Sequence, residues 1–255
     1  MVSLFKKTAK AASSGTVEVG WVIDPDQESA FIWEAPHKLA RPEARTTHAK
    51  GVSFCPAIND HEARLFEVRC PIDLHLRIGK DPKGNPGLVG IDGDQASVRP
   101  RALANVVAPM PQAEWRHPHR PIIQAATPYH FVADEPVYMT MLPAFYHYAE
   151  RPLPGFMLGG RFPIHIWPRP LIWAFEWFDS TKDILVNRGD PWFYVNFETE
   201  DPSRHVRLVE AEMTPALREY VMGMRGVTNY VNRTYSLFGT AKQRRPEKLL
   251  VPRQR

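Results

Sequence analysis

Cysteine is nearly missing from this chain: of 255 residues only Cys55 and Cys70 carry a thiol, and each is followed by proline. Two isolated thiols form no disulfide framework and no Cys-x-x-Cys metal knuckle, which points to a reducing, cytoplasmic compartment. Long apolar runs are missing as well. No stretch approaches the roughly 18 uninterrupted apolar residues of a membrane helix. Residues 1–15 carry charge but no apolar core, so the sequence predicts neither a signal peptide nor a membrane span. The phosphate loop Gly-x-x-x-x-Gly-Lys-Ser/Thr and the dinucleotide motif Gly-x-Gly-x-x-Gly are absent, which removes the usual kinase, NTPase and dehydrogenase readings. Neither Gly-x-Ser-x-Gly nor His-Glu-x-x-His occurs, and no His-x-Asp/Glu pair precedes a distant histidine as a facial-triad iron site would require.

Proline, by contrast, is abundant, at 25 residues. Because proline cannot donate to a ladder or sit inside a helix, it cuts the chain into many short elements. An apolar content of 44% with 11% aromatics supplies a core without staples. Val17, Val19, Trp21 and Ile23 alternate as a first strand, and Phe31-Ile32-Trp33 is a candidate hairpin partner. Phe66, Val68, Cys70, Ile72, Leu74, Leu76 and Ile78 alternate with Glu67, Arg69, Asp73, His75 and Arg77, the strongest period-two pattern in the chain. Pro71 marks an edge or a bulge there. The glycines from Gly79 to Gly93 read as a loop, the polar run Asp60-His61-Glu62 as a loop or turn, and residues 97–128 as an irregular segment and candidate subdomain divide. Glu135-Pro136 and Asp190-Pro191 each open an aromatic strand. Leu171 to Phe178 is apolar on both faces apart from Glu176, as in a central strand. Ile184 and Val186, the turn Asn187-Arg188-Gly189-Asp190, and Trp192 to Phe197 read as a hairpin. After a strand over Val206 to Val209, Thr214-Pro215 caps a helix whose buried stripe is Leu217, Tyr220, Val221 and Met224.

The expected fold is therefore mainly β, an antiparallel β-sandwich or jelly-roll-like domain over residues 16–238, with a flexible leader over 1–15 and a C-terminal helix. Residues 239–255 hold six cations (Lys242, Arg244, Arg245, Lys248, Arg253, Arg255) against Glu247, a local net of +5 in a chain whose total is +4. Self-repulsion and the residues Gly239, Pro246 and Pro252 predict an extended basic tail with one short apolar anchor, Leu249-Leu250-Val251. Arg244, Arg245, Lys248, Leu249 and Leu250 are its candidate partner-binding residues, for a protein partner, self-association or nucleic acid. No membrane partner is expected.

Two further groups of side chains have chemistry to offer. His75, His130, His147 and His165 are the candidate ligands of a divalent metal, although each taken alone fits a surface histidine or a core histidine bonded to a carbonyl. Trp167, Trp173, Trp177 and Trp192 belong to the densest aromatic group. Most of that group must be core, and a surplus tryptophan would line a pocket or an interface.

The run Phe54-Cys55-Pro56-Ala57-Ile58-Asn59-Asp60, leading into Phe66-Glu67-Val68-Arg69-Cys70-Pro71-Ile72-Asp73-Leu74, resembles uncharacterised hypothetical proteins of marine tailed phages. Those proteins carry a Cys-Pro-Ala…Asp element before a Pro-x-Asp strand, and a looser likeness surrounds Gly189-Asp190-Pro191 and Phe197. The resemblance implies a viral origin, with the protein in a virion or the host cytoplasm, and assigns no residue a role. Two functional expectations follow: a binding or structural protein with no catalytic cofactor, or a metal-dependent enzyme of cupin-like or iron-oxygenase-like architecture.

Overall fold

The structure, a computed structural model, describes residues 15–28, 31–40, 51–80, 86–149, 151–227 and 234–254. The leader lies outside them but for Gly15. In chain order the elements are β1 (Val17–Ile23), α1 (Pro25–Glu28), β2 (His37–Lys38), α2 (Pro56–Glu62), β3 (Leu65–Arg69), β4 (Leu74–Lys80) and β5 (Pro86–Gly90). Then come α3 (Pro100–Val106), β6 (Val107–Pro109), β7 (Ile122–Ala126), β8 (Tyr129–Val132), β9 (Val137–Pro143), β10 (Gly155–Leu158) and β11 (Arg161–Pro163). The chain finishes with β12 (Ile172–Trp177), β13 (Ile184–Val186), β14 (Pro191–Thr199), β15 (Val206–Glu210), α4 (Pro215–Val227) and α5 (Thr234–Arg244). Proline does the cutting: α1, α2, α3 and α4 each begin on one, where the missing N–H costs nothing. Strands β5 and β14 also open on proline.

The result is a mainly-β, sandwich-like domain with four sheets among the described residues, ordered β15-β1-β8, β10-β12-β7-β6, β11-β9-β14-β3-β2 and β13-β4-β5. Strands β9 and β14, opened by Glu135-Pro136 and Asp190-Pro191, pair antiparallel at the centre of the widest sheet, from Phe193 opposite Pro143 to Thr199 opposite Val137. All four sheets contribute to one apolar core, which holds Val19, Val68, Leu76, Phe131, Trp173, Trp177 and Phe197 among others. A second cluster joins Val22 and Val132 to Leu217, Tyr220, Val221 and Met224, the stripe of α4. The Thr214 hydroxyl accepts from the Leu217 N–H at 3.2 Å, as a helix cap should.

Several expectations are corrected. The period-two run does not form one strand. It breaks at Cys70–Asp73 into β3 and β4, which lie in different sheets, while Phe66, Val68, Cys70, Ile72, Leu74 and Leu76 stay buried throughout. Pro71 thus sits at a corner between sheets, where its lack of a donor is tolerated. Residues 31–36 form no strand; β1 pairs instead with β8 and, in parallel, with β15, so the antiparallel rule fails for that pair. Asp60-His61-Glu62 ends the helix α2, and the glycine-rich stretch contains β5, paired with β4. Within residues 97–128, strands β6 and β7 pair with each other and β7 with β12, in a sheet that contributes to the common core. Nor do β13 and β14 form a hairpin: β13 pairs with β4, and β14 with β3 and β9.

The basic tail is the largest departure. Residues 239–244 are helical within α5, and Leu249 and Leu250 are buried in the second cluster. Their backbone N–H groups donate to Asp134 Oδ1 at 2.7 and 3.2 Å, and Pro252 bridges to Ala211. Arg245 turns inward, donating to the carbonyls of His165, Pro246, Glu247 and Asp134. Charge repulsion favours extension only where nothing neutralises it, and here carbonyl oxygens and Asp134 do so. Arg244 and Lys248 remain exposed.

Candidate functional site

The corner at Cys70–Asp73 places β4 beside the turn Asn187–Asp190. That turn needs a residue in the left-handed region, which Gly189 supplies with φ +85°. It is clamped to the corner by Gly189 N–H donating to the Cys70 carbonyl at 2.8 Å and by Cys70 N–H donating to the Asp190 carbonyl at 2.9 Å. Asp73 Oδ1 accepts from the Arg188 N–H at 2.8 Å, and that bond is the main reason its carboxyl lies below the ordinary range. Cys70 itself is buried, and burial pushes its thiol up to about 12, which disfavours the reactive thiolate.

Along this edge five side chains from four separated segments touch in series. His75 Nδ1 lies 2.9 Å from Asp92 Oδ1, and its Nε2 lies 3.2 Å from Asn187 Oδ1. The Asn187 amide N–H₂ donates to Asp190 Oδ2 at 2.8 Å, and His147 Nε2 lies 3.5 Å from the same oxygen. Partial burial disfavours a charged His75. The bonds to Asp92 and Asn187, with the charges of Asp92 and Asp73, outweigh it, and the imidazole pKa stands above its ordinary value. The charged imidazole, with an N–H on each ring nitrogen, is the form that suits two oxygen acceptors.

His75, His147, Asn187 and Asp190 line an open cavity of ≈ 660 Å³ together with Tyr148, Arg151, Pro152, Leu153, Pro154, Asp183 and Leu185. Asp183 is held by Arg77 through two bonds of 2.7 and 2.6 Å, and the Arg77 hydrogen bond lowers its pKa. Arg151 is exposed and makes no ion pair among the described residues. Tyr148, Pro152 and Leu153 also line a second, apolar cavity of ≈ 270 Å³ with Pro143, Phe145, Phe156, Trp173 and Trp192. Two buried donors there lack acceptors among the described residues, the Tyr148 hydroxyl and the Trp192 indole N–H.

Exposed aromatic side chains border the apolar cavity, and exposed Leu185 the larger one. Phe145, Tyr146, Phe156, Phe178 and Leu185 are five of the nine exposed large apolar side chains among the described residues. Phe145 packs on Tyr146 at 4.6 Å between ring centres, and Phe156 on Phe178 at 5.2 Å. Arg116 and Arg120 lie over Phe156 and Phe178, and both approach the buried carboxylate of Glu176 beneath.

Of the four candidate metal histidines, the fold brings together His75 and His147 only. His130 is buried on β8 with Nδ1 3.3 Å from the Pro128 carbonyl, and His165 sits 3.0 Å from the Val137 carbonyl. No group of three or more potential metal ligands occurs among the described residues. Among the candidate tryptophans, Trp173, Trp177 and Trp192 are buried in the core, the first and last reaching the apolar cavity. Trp167 lies elsewhere, on α4 and α5. The sequence reading missed Asn187, Asp190 and Asp92, which look like ordinary turn residues, and Arg151, which no pattern marks. No protein-family model matches the chain, and no curated protein matches it at a significant level.

Proposed function

We propose that this is a non-catalytic binding or structural protein that docks a polypeptide partner, in the first instance a second copy of itself, on the aromatic face beside the two cavities. The observation behind it is that exposed Phe145 and Phe156 line the apolar cavity and exposed Leu185 the larger one, with exposed Tyr146 packed on Phe145 and exposed Phe178 on Phe156. Single exposed apolar residues are ordinary, but exposed ring pairs, one of them with arginines over it, have the composition of an interface. The polar wall favours support over proton transfer. Both His75 ring nitrogens lie within hydrogen-bond distance of an oxygen, and Asp190 accepts from the Asn187 backbone and side chain. Groups so engaged hold a surface in shape and have little capacity to take a substrate proton.

Sedimentation of the full chain over roughly 1–200 μM, a range that brackets typical micromolar association, tests the reading. Concentration-dependent association is expected, abolished by Phe156→Asp and unchanged by Glu198→Gln. A chain that stays monomeric throughout, with both variants alike, overturns self-association. One observation favours the metal-dependent alternative, namely that His75 and His147 share a cavity. Stoichiometric iron, manganese or zinc in protein purified without added metal, lost in a His75→Ala/His147→Ala variant, would place the enzyme reading first.

A further inference from the structure

On another part of the surface, Trp167-Pro168-Arg169-Pro170 passes across helix α4. Each proline fixes its own φ and confines the residue before it to extended backbone, so both Trp167 and Arg169 are held by a stiff segment. Arg169 is more than half buried. Its guanidinium lies 5.0 Å from the Trp167 ring centre and 5.6 Å from that of Phe162. It makes no hydrogen bond or ion pair among the described residues, and desolvation alone lowers its pKa. Placing a cation where it loses water and gains no anion is costly, and such a charge is ordinarily paired.

The place of the missing anion is open. A cavity of ≈ 190 Å³ is lined by Trp167, Pro168, Arg169, Pro170, Val221, Met224 and Arg225. Arg225, on the same wall, reaches Asp24 at 3.5 Å. Apart from the two arginines the walls are apolar. The volume matches about six water molecules at roughly 30 Å³ each, too small for a nucleotide and sufficient for a small ring or short chain.

We propose that this cavity is a binding site for a small organic carboxylate, whose anionic head pairs with Arg169 and whose apolar body lies against Trp167, Val221 and Met224. The site is independent of the aromatic face. Stiff backbone and a ring-stacked guanidinium keep the cation in place before the ligand arrives, which limits the ordering entropy of binding. Inorganic phosphate, lacking an apolar body, should bind less well than a carboxylate with one.

Ligand-observed NMR on the full chain with benzoate, its neutral analogue benzamide and inorganic phosphate provides the test. Saturable benzoate binding is expected, at least tenfold tighter than benzamide or phosphate. It should be lost in Arg169→Gln and kept in Arg151→Gln and in Phe156→Asp. Benzoate should also raise the melting temperature of wild type and leave that of Arg169→Gln unmoved, a readout that requires the variant to be folded. Equal binding of benzoate and benzamide, benzoate binding that survives Arg169→Gln, or no benzoate binding to wild type each overturns the proposal.

Discussion

His130 shows how far one side chain's surroundings set its chemistry. It is buried on β8 with one ring nitrogen on the Pro128 carbonyl and the other without a partner among the described residues. Desolvation pushes its pKa down to about 4, against the opposing pull of the Pro128 bond and the Asp24 charge. An unfolded histidine titrates near 6.5, so between about pH 6.5 and pH 4 the unfolded chain binds a proton that the folded chain refuses. Stability contributed by the neutral ring is therefore complete above pH 6.5 and falls as the pH drops through that window. The total loss is on the order of 3 kcal/mol. His75 has the opposite sign: its raised pKa favours the folded state at low pH and that gain is lost as pH rises through the folded value. Urea denaturation of wild type and His130→Asn at pH 7.5, 5.5 and 4.5 separates the two, since the variant should lose most of the acid slope. An unchanged acid slope would show that His130 does not enter the core as the neutral ring. The sequence marked His130 as a histidine among apolar neighbours. It had no means of saying which carbonyl would face the ring.

At the scale of elements, the alternation from Phe66 to Ile78 was legible because the side-chain period survives a corner. Val68, Ile72 and Leu74 face the core although β3 and β4 belong to different sheets, and Glu67, Asp73 and Arg77 do not. What period two cannot encode is which strands become neighbours. Hence the hairpin expected at Asn187–Asp190 became a link between two sheets, and its turn residues became the wall of a cavity. The helix α4 was readable in cap, first residue and buried stripe, since all three are local signals. The candidate site was not, because Asp92, His75, His147 and Asn187 come from segments that meet only through sheet pairing. Replacing Leu74 by alanine should cost roughly 2–5 kcal/mol through lost transfer energy and a residual cavity. Arg77→Ala, which frees an exposed pair with Asp183, should leave the denaturation midpoint near that of wild type. Equal shifts in the two variants would mean that the corner does not bury the β4 face as the structure shows.

For the molecule as a whole, the C-terminal segment decides how the second apolar cluster is closed. Composition alone reads residues 239–255 as an extended arm, because six cations and two prolines oppose both helix and collapse. The fold supplies what composition lacks: Asp134 at the end of β8, the carbonyls around Arg245, and a groove of Val22, Val132 and Leu217 for Leu249 and Leu250. The apparent charge of the tail is correspondingly reduced, since Arg245 is engaged internally and Arg253 pairs with Glu210 at 2.7 Å. Truncation after Arg244 should therefore act as a core deletion. It uncovers two buried leucines, each worth roughly 2–3 kcal/mol of burial, and leaves the β15 end without its bridge at Ala211. The expected outcome is a protein that is largely unfolded at 37 °C or melts far below wild type. Leu250→Ala alone should reproduce part of that loss, and Arg244→Gln/Lys248→Gln almost none of it. A truncated chain with the wild-type melting temperature would return the segment to the role of a free arm, and the second cluster would then have to be closed by α4 and α5 alone.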